Sequence, residues 1–254
     1  MGQVDLDFKP TVPVFDANVA LGRRHDRVVS ADADTPEATI AELTRAGIQR
    51  ALVYSPHAVD FDSNDGNNLL FEAVQGHDAL VPQFLCNPSV DNLDKFAADI
   101  AERDIRAVRL APKAHDYPFR EWIAGDWLEW MGSVNMPFWV CAPDIDPTEL
   151  RDTMAAHPEV NFVLAEVHYG HLSWAVPLLK SLPNGYIEIS RFVLFNGIGR
   201  LLEAIGSERI LFGSAFPESP MAPQLYSLHL NGLDDDTLAA ICSGNLERLL
   251  GIQQ

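Results

Sequence analysis

The 254-residue sequence predicts an α/β fold, a (β/α)8 TIM barrel forming a single domain over residues 1–254. Three observations carry that prediction. Eight short apolar runs alternate along the chain with eight stretches of helical pattern, as a closed parallel barrel requires. The apolar runs are nearly continuous rather than alternating, which suits strands buried on both faces. The length matches the roughly 250 residues that such a barrel occupies.

In order, the strands are expected at 12–17, 50–55, 80–86, 105–111, 137–142, 160–167, 185–190 and 209–214, and the helices at 36–46, 67–76, 91–103, 119–134, 147–156, 173–182, 196–205 and 235–249. The first strand runs from Val12 into a polar pair, Asp16 and Asn18, two apart and so on one face. Thr35-Pro36 and Asp146-Pro147 each put a capping side chain before a proline at the first helical position. On the fifth helix Phe119, Ile123, Trp127 and Trp130 recur on one face, which should pack on the barrel. Trp122 lies about a quarter turn from the middle of that face. It is expected to be exposed and, with neighbours such as Tyr117, to contribute to a subunit contact or cover the pocket.

Hydrophobic residues make up 47% of the chain, ample for a core, and 18 Lys and Arg against 36 Asp and Glu give a net charge of −18. Phosphate neutralisation needs basic patches, so the balance argues against nucleic acid as a partner. No apolar run is long enough for a bilayer span, so no membrane partner is expected. Three widely spaced cysteines, Cys86, Cys141 and Cys242, offer no disulfide framework. The first residues lack the basic start and apolar core of a signal peptide, and the expected compartment is the cytoplasm.

The stretch Asp16-Ala17-Asn18-Val19-Ala20-Leu21-Gly22 resembles the opening motif of the amidohydrolase-related family, metal-dependent hydrolases and decarboxylases on a TIM barrel. That motif is usually Asp-Ala-His-x-His-x-Gly. Further likeness runs through His77-Asp78-Ala79-Leu80-Val81-Pro82, Ala107-Val108-Arg109-Leu110, Arg209–Pro217 and Gly244-Asn245-Leu246-Glu247-Arg248-Leu249. The resemblance implies a site on the C-terminal rim of the strands, with metal ligands from several rim positions. Position by position, the two histidines of the first strand become Asn18 and Ala20, the fifth-strand histidine becomes Cys141, and the last-strand aspartate becomes Ala215. His168, or Glu166 in a shifted alignment, stands on the sixth strand. One matching histidine does not make a catalytic metal site, so no metal and no cofactor are expected.

The catalytic candidates are therefore His168, Cys141 and Glu166. A cysteine nucleophile needs a base that generates thiolate, and His168 on the next strand is within reach of that role. The ligand-binding candidates are Asn18, Arg109, Lys113, His115 and His57. Arg109, inside a strand, is either a carboxylate anchor or half of an internal salt bridge with Asp16 or Glu188. An ion pair between Glu188 and Arg191 is expected at the rim. The first reading of function is a non-catalytic partner or ligand-binding barrel, a homo-oligomer or a hetero-oligomer with an intact paralogue. The alternative is a metal-independent hydrolase, decarboxylase or isomerase acting on a small carboxylated substrate. Elemental analysis of the purified chain should find no stoichiometric zinc, manganese or iron; about one tightly held metal per chain would contradict both readings.

Overall fold

The computed structural model describes residues 8–23 and 34–252. The strands are β1 (Phe15–Ala20), β2 (Arg50–Tyr54), β3 (Leu80–Pro82), β4 (Phe84–Cys86), β5 (Val108–Leu110), β6 (Phe138–Cys141), β7 (Phe162–Ala165), β8 (Gly185–Glu188) and β9 (Ile210–Leu211). All pairings are parallel, β1-β2-β3 in one ladder and β4 through β9 in the other. The two ladders meet at Gln83. Its N–H donates to the Val53 carbonyl at 2.8 Å, while Phe84 N–H donates to Ala107 at 3.2 Å. Thus 80–86 is one strand position, interrupted once. At the other seam, Ala17 N–H donates to Phe212 O and Ala20 N–H to Phe216 O, at 2.9 and 2.8 Å. These bonds join β1 to the chain beyond β9 and close the circle.

The helices are α1 (Pro36–Ala46), α2 (Pro56–Asp60), α3 (Ser63–Ala73), α4 (Leu93–Glu102), α5 (Glu121–Ser133), α6 (Pro147–Ala156), α7 (Leu172–Ser181), α8 (Gly197–Ile205), α9 (Met221–His229), α10 (Asp235–Ala239) and α11 (Asn245–Leu250). Thr35 and Asp146 cap α1 and α6 as expected, and those two helices have the expected bounds. Others differ. α3 starts four residues early because Asp62 caps it through the Asp65 amide, and a π-helical turn, Ala240–Gly244, separates α10 from α11. α2 and α9 were not expected. None of the described helices is long and apolar enough to cross a membrane.

Alternation sorts the side chains into two cores. On β6, Phe138 and Val140 join the outer layer between strands and helices, while Trp139 joins Phe15, Ala17, Leu52, Ala107, Val163 and Leu211 inside the barrel. Leu246 and Leu250 of α11 close this inner cluster. Full burial of such side chains contributes about 1.5–3 kcal/mol each. On α5, Trp127 is buried, Ile123 and Trp130 are packed against the core, and Trp122 is 76% exposed. Tyr117 is 6% exposed and so has little surface to offer to a subunit contact.

Asp16 fastens the second seam. Its Oδ1 accepts the Asn18 and Ser214 amides, each at 3.0 Å, so one carboxylate ties β1 to the segment after β9. Burial drives its pKa up from 3.8 to about 7, against the lowering effect of hydrogen bonds from Ser214 and Asn18. Between about pH 4 and 7 the unfolded chain gives up this proton and the folded chain keeps it. Asp16 therefore costs stability as pH rises, by up to about 1.4 kcal/mol per unit. Asp16→Asn keeps the accepting oxygen and abolishes the titration. In urea unfolding, stability of the variant relative to wild type should climb across pH 4–7; a difference that is flat with pH would mean that Asp16 ionises normally.

Candidate active site

Two residues above the inner apolar layer, the same alternation delivers polar side chains to the lumen: Arg109 after Ala107 on β5, Cys141 after Trp139 on β6, and Glu188 after Tyr186 on β8. Glu166, just past β7, sits at φ +57°, a left-handed conformation costly for a side-chain-bearing residue. That turn breaks the alternation and aims Glu166 into the same cavity. The cavity measures about 370 Å³ and is lined chiefly by Tyr54, Arg109, Cys141, Asp144, Glu166 and His168, with Arg191 and Glu218 at its edge.

Arg109 spans the mouth of the barrel. Its Nε donates to Gln83 Oε1 at 2.9 Å, Nη2 to Asn18 Oδ1 at 2.7 Å and Nη1 to Cys141 Sγ at 3.4 Å, and the guanidinium carbon lies 4.0 Å from the centre of the Tyr54 ring. The residue is 2% exposed. Among the described residues, no carboxylate stands within salt-bridge distance of it, so the expected ion pair with Asp16 or Glu188 does not form. Asn18 intervenes, its Nδ2 donating to Glu188 Oε1 at 3.4 Å. Glu188 also accepts the Glu166 amide at 2.7 Å and the Ser190 hydroxyl at 2.6 Å, yet burial still pushes its pKa up. A β-carbon at Gly213 would collide with Glu188 Oε2, which explains glycine there.

The remaining carboxylates flank the cavity. Arg191 pairs with Glu166 at 3.3 Å and Glu218 at 2.6 Å rather than with Glu188, which is buried out of its reach. Asp144 follows β6 in a short 3-10 turn. Desolvation holds its pKa up and Glu166 adds to the rise, while Lys113 at 3.7 Å opposes it.

The sequence candidates thus divide. Asn18, Arg109, Cys141, Glu166 and His168 come together. Lys113 reaches the site only through Asp144. His115 bonds the Ala58 carbonyl at 3.1 Å, and His57 packs on Phe61 with ring centres 5.0 Å apart; neither lines the cavity. His168 and Cys141 line the same cavity without a hydrogen bond between them. His168 Nδ1 accepts the Gly170 amide at 3.0 Å and the His168 ring lies 3.8 Å from that of His171. The Cys141 thiol donates to Glu166 Oε1 at 3.7 Å. Burial and that carboxylate raise the thiol pKa, against the pull of Arg109. Gln83, Tyr54 and Asp144 were missed. Gln83 offered one signal, a polar residue interrupting the apolar run 80–86.

A metal does not fit these residues. Among those described, no three His, Cys, Asp or Glu side chains are grouped to hold an ion. Asn18 and Cys141 face a guanidinium instead.

The fold and the rim site define an amidohydrolase-type barrel. Residues 17–252 match the family model described as Amidohydrolase, and the chain belongs to that family. Solved structures of similar fold include 5-carboxyvanillate decarboxylase from Sphingomonas paucimobilis, at 12% identity and TM-score 0.74, covering 96% of this chain and 100% of that one. A 2,6-dihydroxybenzoate decarboxylase from Rhizobium, also at 12% and 0.74, covers 95% and 99%. A Pseudomonas putida protein described as a candidate 2-pyrone-4,6-dicarboxylic acid hydrolase, at 16% and 0.73, covers 96% and 99%. No curated protein sequence matches.

With its pKa raised, Cys141 should be a poor nucleophile. Iodoacetamide at pH 8, followed by mass spectrometry, should label it more slowly than free cysteine. Labelling faster than the free amino acid would place a thiolate there.

Proposed function

We propose that this chain is an enzyme that performs acid–base chemistry, a hydrolysis or a decarboxylation, on a small carboxylated substrate without a metal. The observation that carries the reading is Arg109: a buried guanidinium, facing a cavity, whose Nη1 has only a weak sulfur acceptor. A carboxylate seated there would complete its hydrogen bonds and bring a counter-charge into direct contact, in the bidentate geometry that arginine favours. Tyr54 fixes the guanidinium plane from one face.

Two carboxyl groups on the same cavity suit the proton transfers. Asp144, with its raised pKa, holds a proton further toward neutral pH and acts as the acid. Glu166, paired with Arg191 at 3.3 Å, is the second carboxyl group and takes the role of base. The named substrates of the similar decarboxylases, 2,6-dihydroxybenzoate and 5-carboxyvanillate, favour an aromatic carboxylate here. A cavity of about 370 Å³ is within the range of small-molecule sites. The second reading, a ligand-binding partner of a paralogous barrel, draws support from the exposed Trp122.

Isothermal titration with a panel of aromatic mono- and dicarboxylates should find a binder whose affinity falls about 10–100-fold in Arg109→Met, the loss of a charge-assisted hydrogen bond or two. Glu166→Gln should bind it nearly as wild type does while turnover drops at least 100-fold. Binding unchanged in Arg109→Met would overturn the anchor. Arg109-dependent binding with no turnover of any compound would leave the partner reading in its place.

A further inference from the structure

We infer that a second cavity, at the N-terminal end of the barrel, binds a small organic anion with an apolar body, separately from the rim site. Barrels of this type carry their chemistry on the C-terminal face. At the opposite end, the turns leading into β5, β6 and β7, the start of β8 and the end of α11 enclose a cavity of about 450 Å³. Its chief lining residues are Arg106, Met136, Asn161, Tyr186, Arg248 and Leu249. The chain holds 36 Asp and Glu against 18 Lys and Arg, and three carboxyl groups line the rim cavity. The lower cavity is lined by two arginines and no carboxyl group.

The two guanidinium groups meet at the end of α11. Arg106 Nη1 lies 3.9 Å from where a β-carbon on Gly251 would stand, and Arg248 belongs to the last turn of the same helix. Arg248 donates from Nη1 to Asn245 Oδ1 at 3.1 Å and from Nη2 to the Glu208 carbonyl at 2.6 Å. Among the described residues no carboxylate pairs with it and its Nε has no acceptor. Arg106 pairs with Asp104 at 2.7 Å, but both are exposed, and a solvated pair of this kind yields to a better-placed anion at little cost. The Tyr186 hydroxyl and the Asn161 amide, which also line the cavity, make no hydrogen bond among the described residues. Beneath these donors the floor is apolar: Met136 and Leu250 are buried, and Leu249 and Tyr186 pack on the inner barrel cluster. Guanidinium forks take a carboxylate or a phosphate, and the floor adds affinity only when the anion carries an apolar body to bury. Helices α4, α5 and α11 end at this face, and their carbonyl ends repel an anion, so the affinity depends on the two arginines. None of this depends on Arg109 or on turnover at the rim.

The test reads the lower cavity by its own resonance. In protein labelled with ¹⁵N-arginine, the Arg248 Nε–H signal, assigned by its loss in Arg248→Lys, is followed as 2-naphthoate is added. It should move saturably, and Arg106→Glu, an exposed substitution that leaves the Arg248 contacts in place, should weaken the midpoint about 10-fold or more. The uncharged 2-naphthamide, which lacks the anion, and inorganic phosphate, which lacks the apolar body, should each bind about 10-fold more weakly than naphthoate. An Arg248 signal unmoved up to about 10 mM naphthoate would overturn the inference. So would a midpoint unchanged in Arg106→Glu, or one that the amide or phosphate matches. Failure of the rim site is read apart from this, because it leaves the Arg109 signal unmoved while that of Arg248 still responds.

Discussion

A guanidinium enclosed at the mouth of a β-barrel must satisfy its hydrogen-bond donors and has to be offset electrostatically, or burial costs more than the fold can bear. In this chain the donors are met by neutral groups: the amide oxygens of Gln83 and Asn18 and the sulfur of Cys141, with the Tyr54 ring beneath. The charge is offset at one remove, because Asn18 hands its own amide hydrogens to Glu188. That second carboxyl is fully buried and held above its usual range. Much of the surrounding structure follows from this arrangement. Gly213 is small because Glu188 needs the space, and Glu166 adopts a strained backbone that sends its amide to Glu188 and its carboxylate to the cavity.

The charge distribution has a functional consequence. A chain of net charge −18 repels small anions over most of its surface. The cavity sets two cations, Arg109 and Arg191, among three carboxyl groups, Asp144, Glu166 and Glu218. Arg191 is paired with Glu166 and Glu218, while Arg109 gives its hydrogen bonds to neutral acceptors alone. On the proposed reading, an incoming carboxylate seats at Arg109, with Asp144 and Glu166 of the same cavity around it.

Periodicity located the barrel because burial on both faces leaves an unmistakable apolar pattern, and Thr35-Pro36 or Asp146-Pro147 declare helix starts in purely local chemistry. Where tertiary contacts dominate, the sequence was a poorer guide. The apolar run 80–86 does not reveal that Gln83 ends one ladder and begins the next, nor that its side chain holds Arg109 from 26 residues away. The rim cluster was legible as residue types at strand ends. Its pairings were not: spacing brings Cys141 near His168, whereas the positive φ of Glu166 decides that the thiol meets a carboxylate. His57 and His115 were plausible by loop position alone, and packing turned both to structural contacts.

The proposed function passes through one side chain, so the most direct measurement observes it. In protein labelled with ¹⁵N-arginine, the Arg109 Nε–H resonance, assigned by its loss in Arg109→Lys, should be resolved and slow to exchange in the free protein. Titration with benzoate should move it saturably, with the same midpoint as the heat of binding. Saturable binding that shifts other arginines and leaves Arg109 unmoved would contradict the account.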